Sequence, residues 1–194
     1  MIKHIVVLLI FCSFYSAKSQ DISVAKNLFG VQLGLLSASV LNETKLDRKF
    51  TLRSELGVGV SFYSSKTNNS ETNKQTQTVS YPFVLVEPRY YYGLDRRSRL
   101  GRNINNNSSN YLSLATTYYA TNLAFTNSST ITKIVSSITF VPRFGIRRSF
   151  AKNFNYEFAF GAGYRYNFFN DRDGCYCSHN GVALDIETKI GYNF

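Results

Sequence analysis

Apolar and polar residues alternate along most of this chain with a period of two. In residues 50–62, FTLRSELGVGVSF, the side chains of Phe50, Leu52, Leu56, Val58, Val60 and Phe62 share one face, while Thr51, Arg53, Glu55, Gly57, Gly59 and Ser61 share the other. The division recurs where Ile134, Ile138, Phe140, Phe144 and Ile146 oppose Ser137, Thr139 and Arg143. It recurs again where Tyr156, Phe158, Phe160, Tyr164 and Tyr166 oppose Glu157, Ala159, Gly161, Gly163 and Arg165. Such a period marks strands with two unlike faces. Helical periodicity never persists, so the pattern predicts an all-β protein.

Seven strand segments can be read, over about 29–41, 49–63, 81–93, 110–121, 131–147, 154–168 and 181–194. Most are far longer than the ~5–6 residues of a globular strand. A tilted strand needs about 9–11 residues to cross hydrocarbon, so their length favours an antiparallel transmembrane up-and-down β-barrel that projects beyond a bilayer. Short charged connections such as NETKLDR alternate with long polar ones such as SSKTNNSETNKQTQT. Two classes of loop imply two sides of a membrane. Single-chain bacterial barrels have even strand numbers, so eight strands are expected. The eighth is sought in residues 20–30, QDISVAKNLFG, or in a strand concealed within one of the connections.

The first residues change the picture. MIKHIVVLLIFCSFYSAKSQ has a short basic start, an apolar run from Ile5 to about Tyr15, and small residues at Ala17 and Ser19. It is organised as a secretory signal peptide over 1–19, cleaved after Ser19, and its apolar run is shorter than the ~20 residues of a spanning helix. Phe11 before Cys12 is too bulky for lipoprotein processing. Residues 20–194 then form one barrel domain, with 12 Gly, 14 Tyr and 16 Phe in the whole chain and only 18% charged residues. Lys3 and Lys18 leave with the leader, so 20 of the 22 basic residues face 12 acidic ones. That surplus suits anionic lipid headgroups, and export argues against nucleic acid.

Parity assigns many ionisable side chains to the non-apolar face: Arg53, Glu55, Glu87, Arg89, Arg143, Arg147, Glu157, Arg165, Asp185, Glu187 and Lys189. In a soluble sandwich that face would meet water and the apolar one a second sheet. In a lipid-embedded barrel the charges would pack against one another in the lumen, which at eight strands is just wide enough for side chains. The export signal and the aromatic residues near strand ends favour the barrel.

The last strand, GVALDIETKIGYNF, places Ile186, Ile190, Tyr192 and Phe194 on one parity and stops on Phe194. Here the chain resembles small outer-membrane β-barrels of the OmpA and OmpX kind. The resemblance implies that Ile190, Tyr192 and Phe194 form a C-terminal signal read by the barrel-assembly machinery, and it implies the outer membrane of a Gram-negative cell, with outer-membrane lipid as a partner. With Phe194 at the periplasmic rim, the connections 42–48, 94–109 and 148–154 fall on the periplasmic side. Lys45, Arg48, Lys49, Arg96, Arg97, Arg99, Arg102, Arg147, Arg148 and Lys152 against Glu43, Asp47 and Asp95 make that rim about +7, suited to leaflet phosphates. The outward loops, with Lys66, Lys74 and Arg172 against Glu71, Asp171 and Asp173, sum to zero.

Other chemistry is thin. Pro88 and Pro142 each precede an arginine and are expected to bend the wall while Arg89 and Arg143 reach inward. GCYCSHNG brings Cys175, Cys177 and His179 together in an outward loop. In an exported protein the two thiols are expected to pair as a strained disulfide, with free or intermolecular thiols and a metal site as the other readings. A serine nucleophile needs a base within reach, and His179, the sole histidine left after cleavage, sits beside Ser178 in sequence, where adjacent side chains rarely face each other. No phosphate-cradling loop or zinc-protease spacing appears. Neither an enzyme nor a cofactor is expected: the reading is a structural or surface-binding barrel with a closed, salt-bridged lumen, and the polar loop 64–80 is the candidate contact for a surface ligand. A narrow channel, a barrel enzyme acting on lipid and a soluble periplasmic sandwich are the alternatives.

Overall fold

The computed structural model describes residues 22–66, 74–126, 135–150, 152–169 and 179–194. The signal-peptide segment 1–19 and the residues Cys175 and Cys177 lie outside them. Among the described residues nine strands form one antiparallel sheet: β1 Asn27–Gly34, β2 Ser37–Lys45, β3 Phe50–Lys66, β4 Lys74–Tyr90, β5 Asn110–Tyr119, β6 Phe125–Thr126, β7 Ser137–Ser149, β8 Phe154–Asn167 and β9 Asn180–Asn193. Eight of them close into a barrel, because β1 pairs with β2 on one side and with β9 on the other. The short β6 pairs with β4 at Val79 and Ser80, beyond the point where β5 ends. No helix of the described residues is long and apolar enough to cross a membrane.

Following partners once round from Gly30 leads through Leu41, Glu55, Leu85, Thr117, Thr139 and Arg165 to Gly181, whereas Gly30 itself pairs with Asn193. The stagger from Gly181 to Asn193 is the shear of the barrel, and a large shear tilts the strands, here to roughly 45°. Pro88 and Pro142 each stand in a gap of the ladder. β4 and β5 pair at Val86 and Thr116 and resume at Arg89 and Ser113, while β7 and β8 pair at Phe140 and Tyr164 and resume at Arg143 and Gly161. A proline has no N–H to give the neighbouring strand.

The eighth strand comes neither from residues 20–30 alone nor from a connection. The segment 29–41 is itself a hairpin, split at Leu35 and Leu36 into β1 and β2, and β2 runs on through Asn42–Lys45, which had the composition of a turn. The expected loop 64–80 is also largely strand, since β3 continues to Lys66 and β4 begins at Lys74, leaving only 67–73 outside the described residues. Alternation fades there because the hairpin projects past the apolar band, so neither face is constrained to be greasy.

The apolar parity faces outward. Val182, Leu184 and Ile186 are each nearly four-fifths exposed, and Phe29, Leu33, Leu56, Phe62, Phe160 and Ile190 are exposed with them. No described residue packs over this surface as a second layer, so the described strands form a closed barrel and not a sandwich. Outside the tip of the β3–β4 hairpin, residues 63–77, Arg148 near the Phe194 end of β7 is the one charged residue among the described strand residues whose side chains point out. Aromatic rings gather at both ends of the band. Phe29, Phe194, Tyr192, Phe154 and Phe150 touch in sequence at one end, and Tyr118, Phe168, Tyr166 and His179 at the other. Phe194 stacks on Phe29 at 5.6 Å and donates its N–H to the Phe29 carbonyl, closing the seam between β9 and β1.

Candidate functional site

The inward parity builds the site. Near the Phe194 end it is capped by the segment between β4 and β5. This segment, whose arginines read as a basic loop, turns a short helix, Leu94–Arg99, under the barrel and buries Leu94 with Val24, Tyr91 and Tyr111, while Ile22 and Ile104 pack alongside. Asn107 holds the cap in place: its carbonyl accepts from the Ala25 N–H at 2.7 Å and its amide donates to Glu43 at 2.8 Å. Asn107 takes a left-handed φ of 60°, a conformation Asn tolerates better than most residues.

Above the cap, charged side chains bridge the lumen from wall to wall. Glu157 of β8 accepts from Arg53 of β3 at 3.1 Å, from Arg89 of β4 at 2.6 Å and from the Tyr111 hydroxyl of β5 at 2.6 Å. The Arg89 guanidinium also lies 4.2 Å from the centre of the Tyr111 ring. Glu43 accepts from Arg147 at 2.7 Å, from Tyr91 at 2.8 Å and from Thr51 at 2.9 Å. Glu55 joins Arg53, Lys189 and Ser39 at 2.5, 2.7 and 2.6 Å, and Glu87 joins Arg89 and Ser113 at 2.6 Å each. Taking these ions out of water costs several kcal/mol each. That cost is offset only because every carboxylate collects several donors.

Above this layer the interior changes character. Arg143 pairs with Asp185, with Glu187 at 3.1 Å and more distantly with Glu87 at 3.9 Å, while Lys189 reaches Glu187 at 2.6 Å. Arg143, Asp185 and Glu187 are the floor of a cavity of about 200 Å³ in the half of the barrel away from Phe194. Its wall carries Tyr81, Phe83 and Tyr119, with Tyr119 5.8 Å from Tyr81 and 6.4 Å from Phe83. The space exists because inward positions here are small. Gly57 and Gly59 stand opposite Phe83 and Tyr81, and a Cβ on either would come within 3 Å of that aromatic ring. Gly161, Gly163 and Ala183 line adjoining positions of β8 and β9.

The structure therefore brings Arg53, Glu55, Glu87, Arg89, Arg143, Glu157, Asp185, Glu187 and Lys189 into one interior system. Arg165 is not part of it. It sits near the mouth, opposite Thr139 and Gly181, and is exposed to solvent, with no ion pair among the described residues. Arg147 and Glu43, counted on the basic rim from sequence, are buried together in the lumen. They leave the rim as a pair, so its surplus of charge stands. Glu43 was hidden because β2 was not separated. Its signal was the switch of apolar parity from Phe29, Val31 and Leu33 to Ala38 and Val40. Tyr91, Tyr111, Phe83 and Tyr119 share the inward parity of the charges and were legible by the same rule.

Each floor carboxylate is held by a cation, and His179 lies apart, stacked 5.8 Å from Tyr166 outside the wall. What the arrangement offers chemically is a charged, aromatic-walled recess. No protein-family model matches the chain, and no curated protein matches it.

Proposed function

We propose that this is a small outer-membrane β-barrel of the OmpA and OmpX kind, anchored by its apolar outer face, with a closed, salt-bridged lumen and a structural or surface-binding role rather than a catalytic one. The observation that carries the reading is the outward face itself. Among the described residues it is apolar, uncovered and free of charge between its aromatic ends. From Val182 to Phe194 of the last strand the rise is about 28 Å along the axis, at ~3.3 Å per residue and a tilt near 45°. That compares with an apolar band of ~25 Å in known outer-membrane barrels. A soluble protein of this size would be left with an apolar surface far beyond the few hundred Å² that monomers expose.

The Phe194 end is read as periplasmic. It carries Lys45, Arg48, Lys49, Arg96, Arg97, Arg99, Arg102, Arg148 and Lys152 against Asp47 and Asp95, and each basic residue near an anionic leaflet contributes roughly 1 kcal/mol. Ile190, Tyr192 and Phe194 face outward on the strand that closes the barrel, where assembly machinery would engage it. Passage of ions would require a path through the ring of Arg53, Glu157 and Arg89, so no conductance is expected in planar bilayers. The deciding experiment is heat-modifiability of the detergent-refolded mature protein, with membrane fractionation of the expressed one. A compact unboiled band and recovery with the outer membrane are expected, and a heat-insensitive protein in the soluble fraction would sink the reading.

A further inference from the structure

The recess above Arg143 is more than leftover space, because its charge, its wall and a buried, unpartnered hydroxyl agree on what would fill it. We propose that it binds a small organic cation, a primary ammonium carried on a short aryl or apolar body. The proposal deepens the surface-binding reading, and rests on it for the side of the membrane to which the recess opens.

Charge comes first. The interior system contains the cations Arg53, Arg89, Arg143, Arg147 and Lys189 and the carboxylates Glu43, Glu55, Glu87, Glu157, Asp185 and Glu187. The carboxylates outnumber the cations by one, and the surplus is displayed at the recess. Asp185 and Glu187 keep about a fifth of their side-chain surface exposed, 22% and 21%, whereas the other four carboxylate side chains are at most 1% exposed. Among the described residues Asp185 has Arg143 as its one ion-pair partner, and Arg143 is shared with Glu187, which also takes Lys189, and with Glu87, which also takes Arg89. An entering anion would meet this surplus head on, and a neutral molecule would leave it in place.

The second observation is independent of the acids. Thr117 lines the recess with its side chain buried, and its hydroxyl has no hydrogen-bond partner among the described residues. A buried hydroxyl without a partner costs about 1–3 kcal/mol, and an N–H donor entering the recess would satisfy it. Third, Tyr81, Phe83 and Tyr119 form a continuous aromatic wall, which suits both an apolar body and a cation. Size limits the guest. About 200 Å³ is below the ~300–1,000 Å³ of sites for drug-sized ligands, so a single ring with a short amine is the scale. Among the described residues no grouping of His, Cys, Asp and Glu has the make-up of a metal site.

The test is calorimetric titration of the detergent-refolded mature protein with 2-phenylethylamine, phenylacetate and benzyl alcohol, with heat-modifiability run on every sample. We expect one saturable site for the amine, weakened several-fold by raising salt, and no comparable binding of the acid or the alcohol. Asp185→Asn should weaken amine binding by about tenfold or more. Thr117→Val, which keeps the shape of the side chain, should weaken it several-fold while the fold is retained. Three results in a protein that keeps its compact band would overturn the proposal and leave the barrel reading intact: no amine binding, equal binding of acid or alcohol, or amine binding indifferent to both substitutions. Displacement of the amine by millimolar calcium alone would reassign the recess to an inorganic cation and overturn it likewise. Loss of the compact band in the unsubstituted protein would instead count against the barrel reading.

Discussion

The two halves of the barrel interior are built on the same strands and the same parity, yet one is packed solid and the other is hollow. Toward Phe194 the inward positions carry Arg53, Arg89, Arg147, Glu43, Glu157, Tyr91 and Tyr111, all fully or almost fully buried. Away from it they carry Gly57, Gly59, Gly161, Gly163 and Ala183, and a recess opens under Tyr81 and Tyr119. The difference teaches that alternation decides which side chains enter a lumen, and side-chain volume decides whether the lumen closes. Burial follows from volume, and the energetic weight of each charge follows from burial.

The sharpest way to break this comparison is to remove one carboxylate from each half. Glu157→Gln leaves Arg53 and Arg89 buried and short of a counter-charge, and is expected to cost about 3–5 kcal/mol. Glu187→Gln acts on a group whose side chain is a fifth exposed and should cost roughly 1 kcal/mol or less. Urea titration in detergent, followed by circular dichroism because the chain has no Trp, reads both. Equal losses would mean that the hollow half is as dry as the packed one.

Glycine positions sharpen the contrast further. A Cβ at Gly145 would lie 2.0 Å from the Tyr111 ring, which is pinned by Glu157 and Arg89. Gly145→Val should therefore destabilise by about 1–3 kcal/mol, and Tyr111→Ala in the same chain should recover part of the loss through their coupling. Gly59→Ala meets Tyr81 at 2.9 Å, but that ring borders the recess and can turn into it. Its cost should be below about 1 kcal/mol by the same urea assay, and a larger one would show that the recess wall is rigid.

The smallest effect belongs to the rim, outside both halves. Lys49 donates to Asp95 at 2.5 Å and holds that carboxyl below the usual range. A lowered folded value means the contribution is complete above the unfolded pKa near 4 and is lost as pH falls through the folded one. Both side chains are a quarter or more exposed, so solvent screening leaves at most a few tenths of a kcal/mol. Asp95→Asn should be indistinguishable from the parent in urea titrations below pH 3 and trail it only slightly at pH 7.

Much of the site was legible before the fold. Arg53, Glu87, Arg89, Glu157 and Lys189 all carry the inward parity, and a period of two leaves no choice of face once one residue of a strand is placed. The failures have a common source. The hairpin at Leu35 and Leu36 lacks the Asn-Gly or Asp-Gly turn signal, so β1 and β2 merged and Glu43 was misplaced in a loop. The segment 91–109 reads as polar because Arg96, Arg97, Arg99 and Arg102 dominate it, while Leu94, Ile104 and Asn107 supply the few contacts that fold it under the barrel.

Alternation determined most of the strands, their two faces and most of the residues that enter the lumen, because local backbone geometry sends successive side chains to opposite sides whatever lies beyond. Only the tertiary structure decided which charges meet. Glu157 and Arg53 are more than a hundred residues apart in the chain, as are Glu43 and Arg147. Their pairing depends on barrel closure and on the stagger that sets which levels of facing strands coincide. The recess was decided there too, since an empty volume is defined by walls from β3, β4, β5, β7 and β9 at once, and no single strand carries it.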